Sequence, residues 1–163
     1  MGKLYTRNGD EGFTRNYLGK KIAKDDLEII VQGRIDSLQS SIDLVMLDAK
    51  GKTKEFLEEI QKKLWQTAGE ISCADKSYLI SPVAEEDIKA LEDFTDSLGE
   101  PPRKFIRFNT LSSAQYNEAR VRCRELEIYL TKLLRNKRIN PVTYRYVNRL
   151  SSSLFMLAFR ETK

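Results

Sequence analysis

Residues 5–24, YTRNGDEGFTRNYLGKKIAK, gather the groups in this chain best suited to hold an anion. Gly9 and Gly12 let a backbone turn tightly and bring its N–H groups near a ligand. Hydroxyls (Tyr5, Thr6, Thr14) and cations (Arg7, Arg15, Lys24) surround that turn. A polyphosphate, with dense charge and many acceptor oxygens, needs such a set. An ordinary polar arm is the competing reading. The stretch is not a P-loop, because Gly-x-x-x-x-Gly-Lys-Ser/Thr occurs nowhere in the chain.

A second cluster lies at Arg120, Arg124 and Glu127, spaced by four and three, so one helix face carries all three. Two arginines at that step cost an isolated helix roughly 0.2–0.5 kcal/mol. Either Glu127 pairs with Arg124 on a solvated face, or an external carboxylate or phosphate satisfies the arginines. Asp36, one turn after Gly33, is a surface acid or, if partly buried, one that needs a cation such as Arg120. Asn148 flanks the apolar Val147 and reads, by itself, as a helix-surface amide.

What is missing narrows the chemistry. The chain has no histidine, which removes Ser-His-Asp and Cys-His nucleophiles and the His-Glu-x-x-His zinc site. Its two cysteines, Cys73 and Cys123, show no pairing pattern or secretory leader, so a reducing, cytoplasmic setting is expected. No apolar run is long enough for a membrane span. Reactivity must come from positioning, electrostatics or an imported cofactor.

Charge is distributed in blocks. Residues 1–24 carry six cations against two acids, residues 25–102 eight against eighteen, and residues 103–149 twelve against three. The two basic blocks would make one basic pocket if they met in space. Nucleic-acid binding is the rival reading, weakened by the acidic middle and by the lack of a zinc-finger, RNP or basic-zipper signature.

These groups need a scaffold, and the 163 residues suffice for one domain with its own core. After Lys24 the apolar spacing predicts five helices joined by short loops. They run over about 25–49, 53–72, 84–98, 112–136 and 141–160, with the last capped by Asn140 and started by Pro141. Acids Glu85, Glu86 and Asp87 open the third, and Gly99 with Pro101 and Pro102 stops it. Trp65 is expected in the core or an interface. Nothing reads as a sheet, and Phe105–Phe108 is at most a short extended piece. The fold class is all-α, a helical bundle.

Taken together, five stretches resemble the PduO-type ATP:corrinoid adenosyltransferases. They are YTRNGDEGFTR, Lys24-Asp25-Asp26, Gly33-Arg34-Ile35-Asp36, Arg120-x-x-x-Arg124-x-x-Glu127 and Tyr146-Val147-Asn148-Arg149-Leu150-Ser151. The resemblance spans nearly the whole chain, in order. It implies a ferritin-like five-helix bundle, with residues 1–24 as an ATP-binding arm and 25–163 as the bundle. It also implies a homotrimer, with ATP and corrinoid meeting between subunits.

By that resemblance Thr6, Arg7, Asn8 and Gly9, with Thr14 and Arg15, would wrap the triphosphate, Lys24 would reach it and Arg124 would clamp it. Glu127 and Asn148 would orient nucleotide and loop, and Asp36 and Arg120 would bridge subunits. Phe105 would lie beneath the corrin and keep the lower axial ligand off cobalt. Mg²⁺ would be held mainly by ATP. A corrinoid reductase and an adenosylcobalamin-dependent enzyme are the implied partners.

Some positions depart from the family pattern. Ser37 and Gln39 replace a Glu and an Asn, Glu125 replaces the second of two adjacent arginines, and Ser152 replaces an Asp. Arg107-Phe108-Asn109 stands where Pro-Gly-Gly is usual. The expectation is good ATP binding with weaker or altered corrinoid binding. A non-catalytic ATP-binding bundle, acting as a sensor or carrier, is the alternative.

Overall fold

The computed structural model describes residues 7–72 and 82–162. Tyr5, Thr6 and Cys73, all named above, lie outside them. Five helices follow a short hairpin: α1 Leu27–Met46, α2 Gly51–Ser72, α3 Glu85–Ser97, α4 Leu111–Arg135 and α5 Pro141–Arg160. The hairpin pairs β1, Phe13–Arg15, with β2, Lys21–Ala23, antiparallel, in the register Thr14 to Ile22.

The hairpin corrects the expectation of no sheet. Strands of three residues are too short to show alternation, and what closes them is turn chemistry. Gly19 adopts φ +76°, where a side chain would be strained. Asn16 accepts from the Lys20 N–H through its side chain, and Arg15 Nη1 donates to the Gly19 carbonyl. Phe105–Phe108, by contrast, forms no strand.

Helix starts follow their caps. Asp26 accepts from Glu28 N–H at 2.9 Å, Thr110 from Ser113 N–H at 3.0 Å, and Asn140 from Val142 N–H at 3.0 Å. Each satisfies a backbone donor that the first turn leaves free. The α1 stripe ends three residues earlier than expected, at Met46. Gly51, expected in the linker, instead opens α2 with φ +52°.

The core is one cluster along α4, which packs most extensively on α5 and then on α1. Ala119, Cys123, Leu126, Leu130 and Leu133 of α4 meet Val147, Leu150 and Leu154 of α5 and Ile35, Leu38 and Ile42 of α1, all buried. Fully burying each large aliphatic side chain contributes about 1.5–3 kcal/mol. Cys123 is a core residue, its Sγ donating to the Val147 carbonyl, and burial pushes its thiol far above the ordinary range. It is no nucleophile.

α3 is held by charge as well as apolar contact. Buried Lys63 on α2 pairs with Asp87 at 2.9 Å, and Asp87 also accepts from the Ala84 N–H. Phe56 and Phe94 stack beside that pair at 3.6 Å. This fixes α3 against α2, and so places the loop after it over the α4–α5 seam.

Candidate active site

The N-terminal arm forms a groove of about 720 Å³ lined by Arg7, Asn8, Gly9, Asp10, Glu11, Phe13, Thr14, Arg15 and Lys21. Gly9 lies against Lys24: a Cβ there would come within 2.9 Å of Lys24 Nζ, so a larger residue would push the lysine tip aside. Lys24 is fixed from below, its N–H donating to the Gly12 carbonyl at 2.9 Å, while Gly12 turns the chain at φ +80°. The arm residues expected to bind phosphate thus gather in one place, Lys24 beside them. Thr6 lies outside the described residues.

The arginines sit elsewhere in the chain. Arg120 and Arg124 line a groove of about 460 Å³ with Thr95, Ser151, Ser152 and Phe155, between the end of α3 and the α4–α5 seam. Arg124 is exposed and makes no hydrogen bond or ion pair among the described residues. Arg120 is half-buried, and its Nε donates to Asn117 Oδ1 at 2.9 Å. Burial, then the charge of Arg124, lowers the Arg120 pKa from its ordinary value, so the site favours an incoming anion.

Glu127 does not neutralise Arg124. Its carboxylate accepts from Asn148 Nδ2 at 2.6 Å, across the α4–α5 seam. Arg149 donates to Asn148 Oδ1 at 3.3 Å and to Glu92 at 2.9 Å, which orients the amide and joins α3 to the same line of contacts. The solvated Glu127–Arg124 pair is therefore not the arrangement found.

Asp36 is exposed on α1 and has no ion pair with Arg120 inside this chain. Trp65 is also exposed, at 73%, and so outside this chain's core. The Glu125 side chain turns away from the arginine groove. It pairs with Arg34 of α1 at 3.1 Å and with Arg122 at 3.5 Å. Arg34 in turn lies over the Tyr129 ring at 5.4 Å.

A third groove, about 640 Å³, adjoins the arginine groove and shares Arg120 and Phe155 with it. Pro102, Phe105, Ile106, Phe108 and Ala114 give it an aromatic and aliphatic floor, and Lys104, Arg107 and Asn117 complete its walls. Phe105 is 96% exposed there. Sequence reasoning found Phe105 but missed Phe155 and Asn117. Phe155 falls seven residues after Asn148, two helical turns along one face, and that spacing is the signal that could have found it. No lining residue is common to the arm groove and the arginine groove. The two basic blocks meet elsewhere, where Asn16 and Leu18 of the arm line a groove with Lys137 and Arg138.

Comparison with known proteins shows the family. The family described as cobalamin adenosyltransferase matches residues 4–161. A corrinoid adenosyltransferase of Citrobacter freundii is 33% identical over 165 residues, covering 97% of this chain and 94% of that protein. The corrinoid adenosyltransferase PduO of the same organism is 32% identical over 167 residues, and the chain spans about half of it, 49%. Among solved structures, a variant PduO-type ATP:corrinoid adenosyltransferase from Lactobacillus reuteri, complexed with cobalamin and ATP, superposes with a TM-score of 0.82. It shares 26% identity, covering 96% of this chain and 91% of that one. The chain belongs to the cobalamin adenosyltransferase family.

Proposed function

We propose that the arm groove and the arginine groove hold the two ends of one ATP, with the aromatic groove receiving the corrinoid. The chain is an ATP:corrinoid adenosyltransferase: it transfers the 5′-deoxyadenosyl group of ATP to the cobalt of a reduced corrinoid and releases triphosphate. The observation that carries the assignment of grooves is the sharing of Arg120 and Phe155 by a cationic, hydroxyl-lined cleft and an aromatic one. A polyanion and a large flat apolar ligand can then lie side by side.

The chemistry asks little of side-chain acids or bases. The reduced cobalt supplies the electron pair that bonds to C5′, and the C5′–O bond breaks with its electrons leaving on triphosphate. The protein aligns two reactants, which in favourable intramolecular cases supplies about 7–11 kcal/mol. It also stabilises charge on the leaving group, the role we assign to Arg124, Lys24, Arg7, Arg15 and the hydroxyl and amide donors Thr6, Thr14 and Asn8 about Gly9. Glu127 and Asn148 hold the seam under Arg124, and Phe105 covers the lower cobalt face.

Mg²⁺ would serve as the triphosphate counter-ion. The described residues contain no cluster of three or more metal-ligating side chains. In this reading the ion is carried chiefly by phosphate oxygens.

Because the arm groove and the arginine groove are separate within one chain, a complete site is best built from two copies. We propose a homotrimer in which Asp36 of one subunit pairs with Arg120 of the next. Residues 1–163 form one domain in this reading, an arm and a bundle. A cytoplasmic setting, a reductase that delivers Co(I) and an acceptor enzyme for the adenosylated product complete the proposal. No helix among the described residues is long and apolar enough to cross a membrane.

The test is anaerobic incubation of purified protein with chemically reduced cobalamin and MgATP. Growth of the alkylcobalamin absorbance is expected. Absence of that change while ATP binds would favour the non-catalytic bundle instead.

A further inference from the structure

Phe105 and Phe108 line the same groove three residues apart, but their surroundings differ. Phe105 is 96% exposed, and no other ring contacts it among the described residues. Phe108 is half-buried against the core, its ring meeting Phe155 edge-on with centroids 6.1 Å apart and planes at 87°. Edge-to-face rings at this distance attract through their quadrupoles.

The loop carrying both residues has little else to hold it. Residues 100–109 make no hydrogen bond among the described residues. Their one ion pair, Arg103 to Glu100, is 3.9 Å long and exposed. Pro102 and Ile106 are half-buried as well, but Phe108 is the loop residue that packs against the buried core and on another ring.

We propose that Phe108 is a positioning residue for the transfer reaction: docked on Phe155, it anchors the loop and limits where Phe105 can reach over a bound corrinoid. This rests on the function proposed above. Three residues of extended chain span roughly 10 Å at most, so a fixed Phe108 confines Phe105 to one mouth of the groove. A glycine at 108 would remove the ring contact and widen the accessible backbone space, so ordering the loop over a ligand would cost more entropy. The bulky Phe108 is thus an anchor of the wall rather than an obstruction in it.

The test compares Phe108→Gly with Phe108→Leu, which keeps an apolar contact to Phe155, after checking that both melt cooperatively. ATP affinity is measured by calorimetry. Cob(II)alamin binding with ATP present is followed by absorbance and electron paramagnetic resonance, which report the fraction whose lower ligand has left cobalt. The expected result is ATP affinity unchanged in both variants, with that fraction falling about fivefold in Phe108→Gly. Phe108→Leu should recover most of the loss. A wild-type spectrum in Phe108→Gly, or tighter corrinoid binding there, would overturn the anchor. Wild-type protein that binds no corrinoid would instead defeat the proposed function itself.

Discussion

Asn148 on α5 donates to Glu127 on α4 at 2.6 Å, and this one bond decides how the arginine face is used. With Glu127 engaged across the seam, Arg124 has no carboxylate partner among the described residues. Truncating Glu127 to Ala leaves the half-buried Asn148 amide without its acceptor and should cost about 1 kcal/mol, read from a denaturation midpoint. Glu127→Gln keeps an acceptor oxygen and should lose less than half of that, while the KM for ATP rises in both. Equal destabilisation by Ala and Gln would show that the bond contributes nothing to holding the seam.

Arg124 is exposed and makes no hydrogen bond or ion pair among the described residues, so its replacement should isolate function. Arg124→Lys retains the charge and loses the planar fork that grips a phosphate with two bonds. Turnover should fall on the order of 10²-fold, by comparison with the loss of one preorganised donor elsewhere, while the melting temperature stays put. Steady-state kinetics with reduced cobalamin measures this. Unchanged kinetics would return Arg124 to the solvent.

Asp36 is exposed and unpaired with Arg120 within the chain, so its removal should be nearly silent for a lone subunit, within about 0.5 kcal/mol. In the proposed trimer the same change strands the partner's cation and should weaken assembly. Sedimentation velocity at micromolar concentration distinguishes the two. A wild-type protein that runs as a monomer, or Asp36→Ala that assembles like wild type, would remove the bridge.

Glu125 is a departure with a local explanation, since Arg34 and Arg122 both reach it. These groups are more than a third exposed on average, so the cluster contributes at most about 1 kcal/mol and weakens with salt. Glu125→Arg should therefore cost less than that, recover in high salt, and leave the KM for ATP within about twofold. A loss of turnover as large as that expected for Arg124→Lys would mean Glu125 belongs to the site.

The helices were legible because long amphipathic stripes repeat at three and four, and Leu126, Leu130 and Leu133 are buried as that spacing requires. The hairpin was not, since three-residue strands carry no period and only Asn16 and Gly19 mark the turn. The arm residues could be named from type and proximity. The Glu127–Asn148 bond could not, because the register of α5 on α4 is a tertiary fact that neither helix states alone. The same holds for Glu125, whose partner Arg34 stands ninety-one residues away. Phe108 stands as bulk in place of a turn in the sequence, and only the fold sets its ring edge-on against Phe155.

In the proposed reaction ATP is opened at C5′ and nowhere else. Anaerobic turnover with cob(I)alamin and MgATP, with phosphates resolved by ³¹P resonance, measures this directly. One intact triphosphate is expected for each adenosylated corrinoid, with no orthophosphate or diphosphate formed in step with it. Nucleoside diphosphate with orthophosphate, and no cobalt–carbon product, would contradict it.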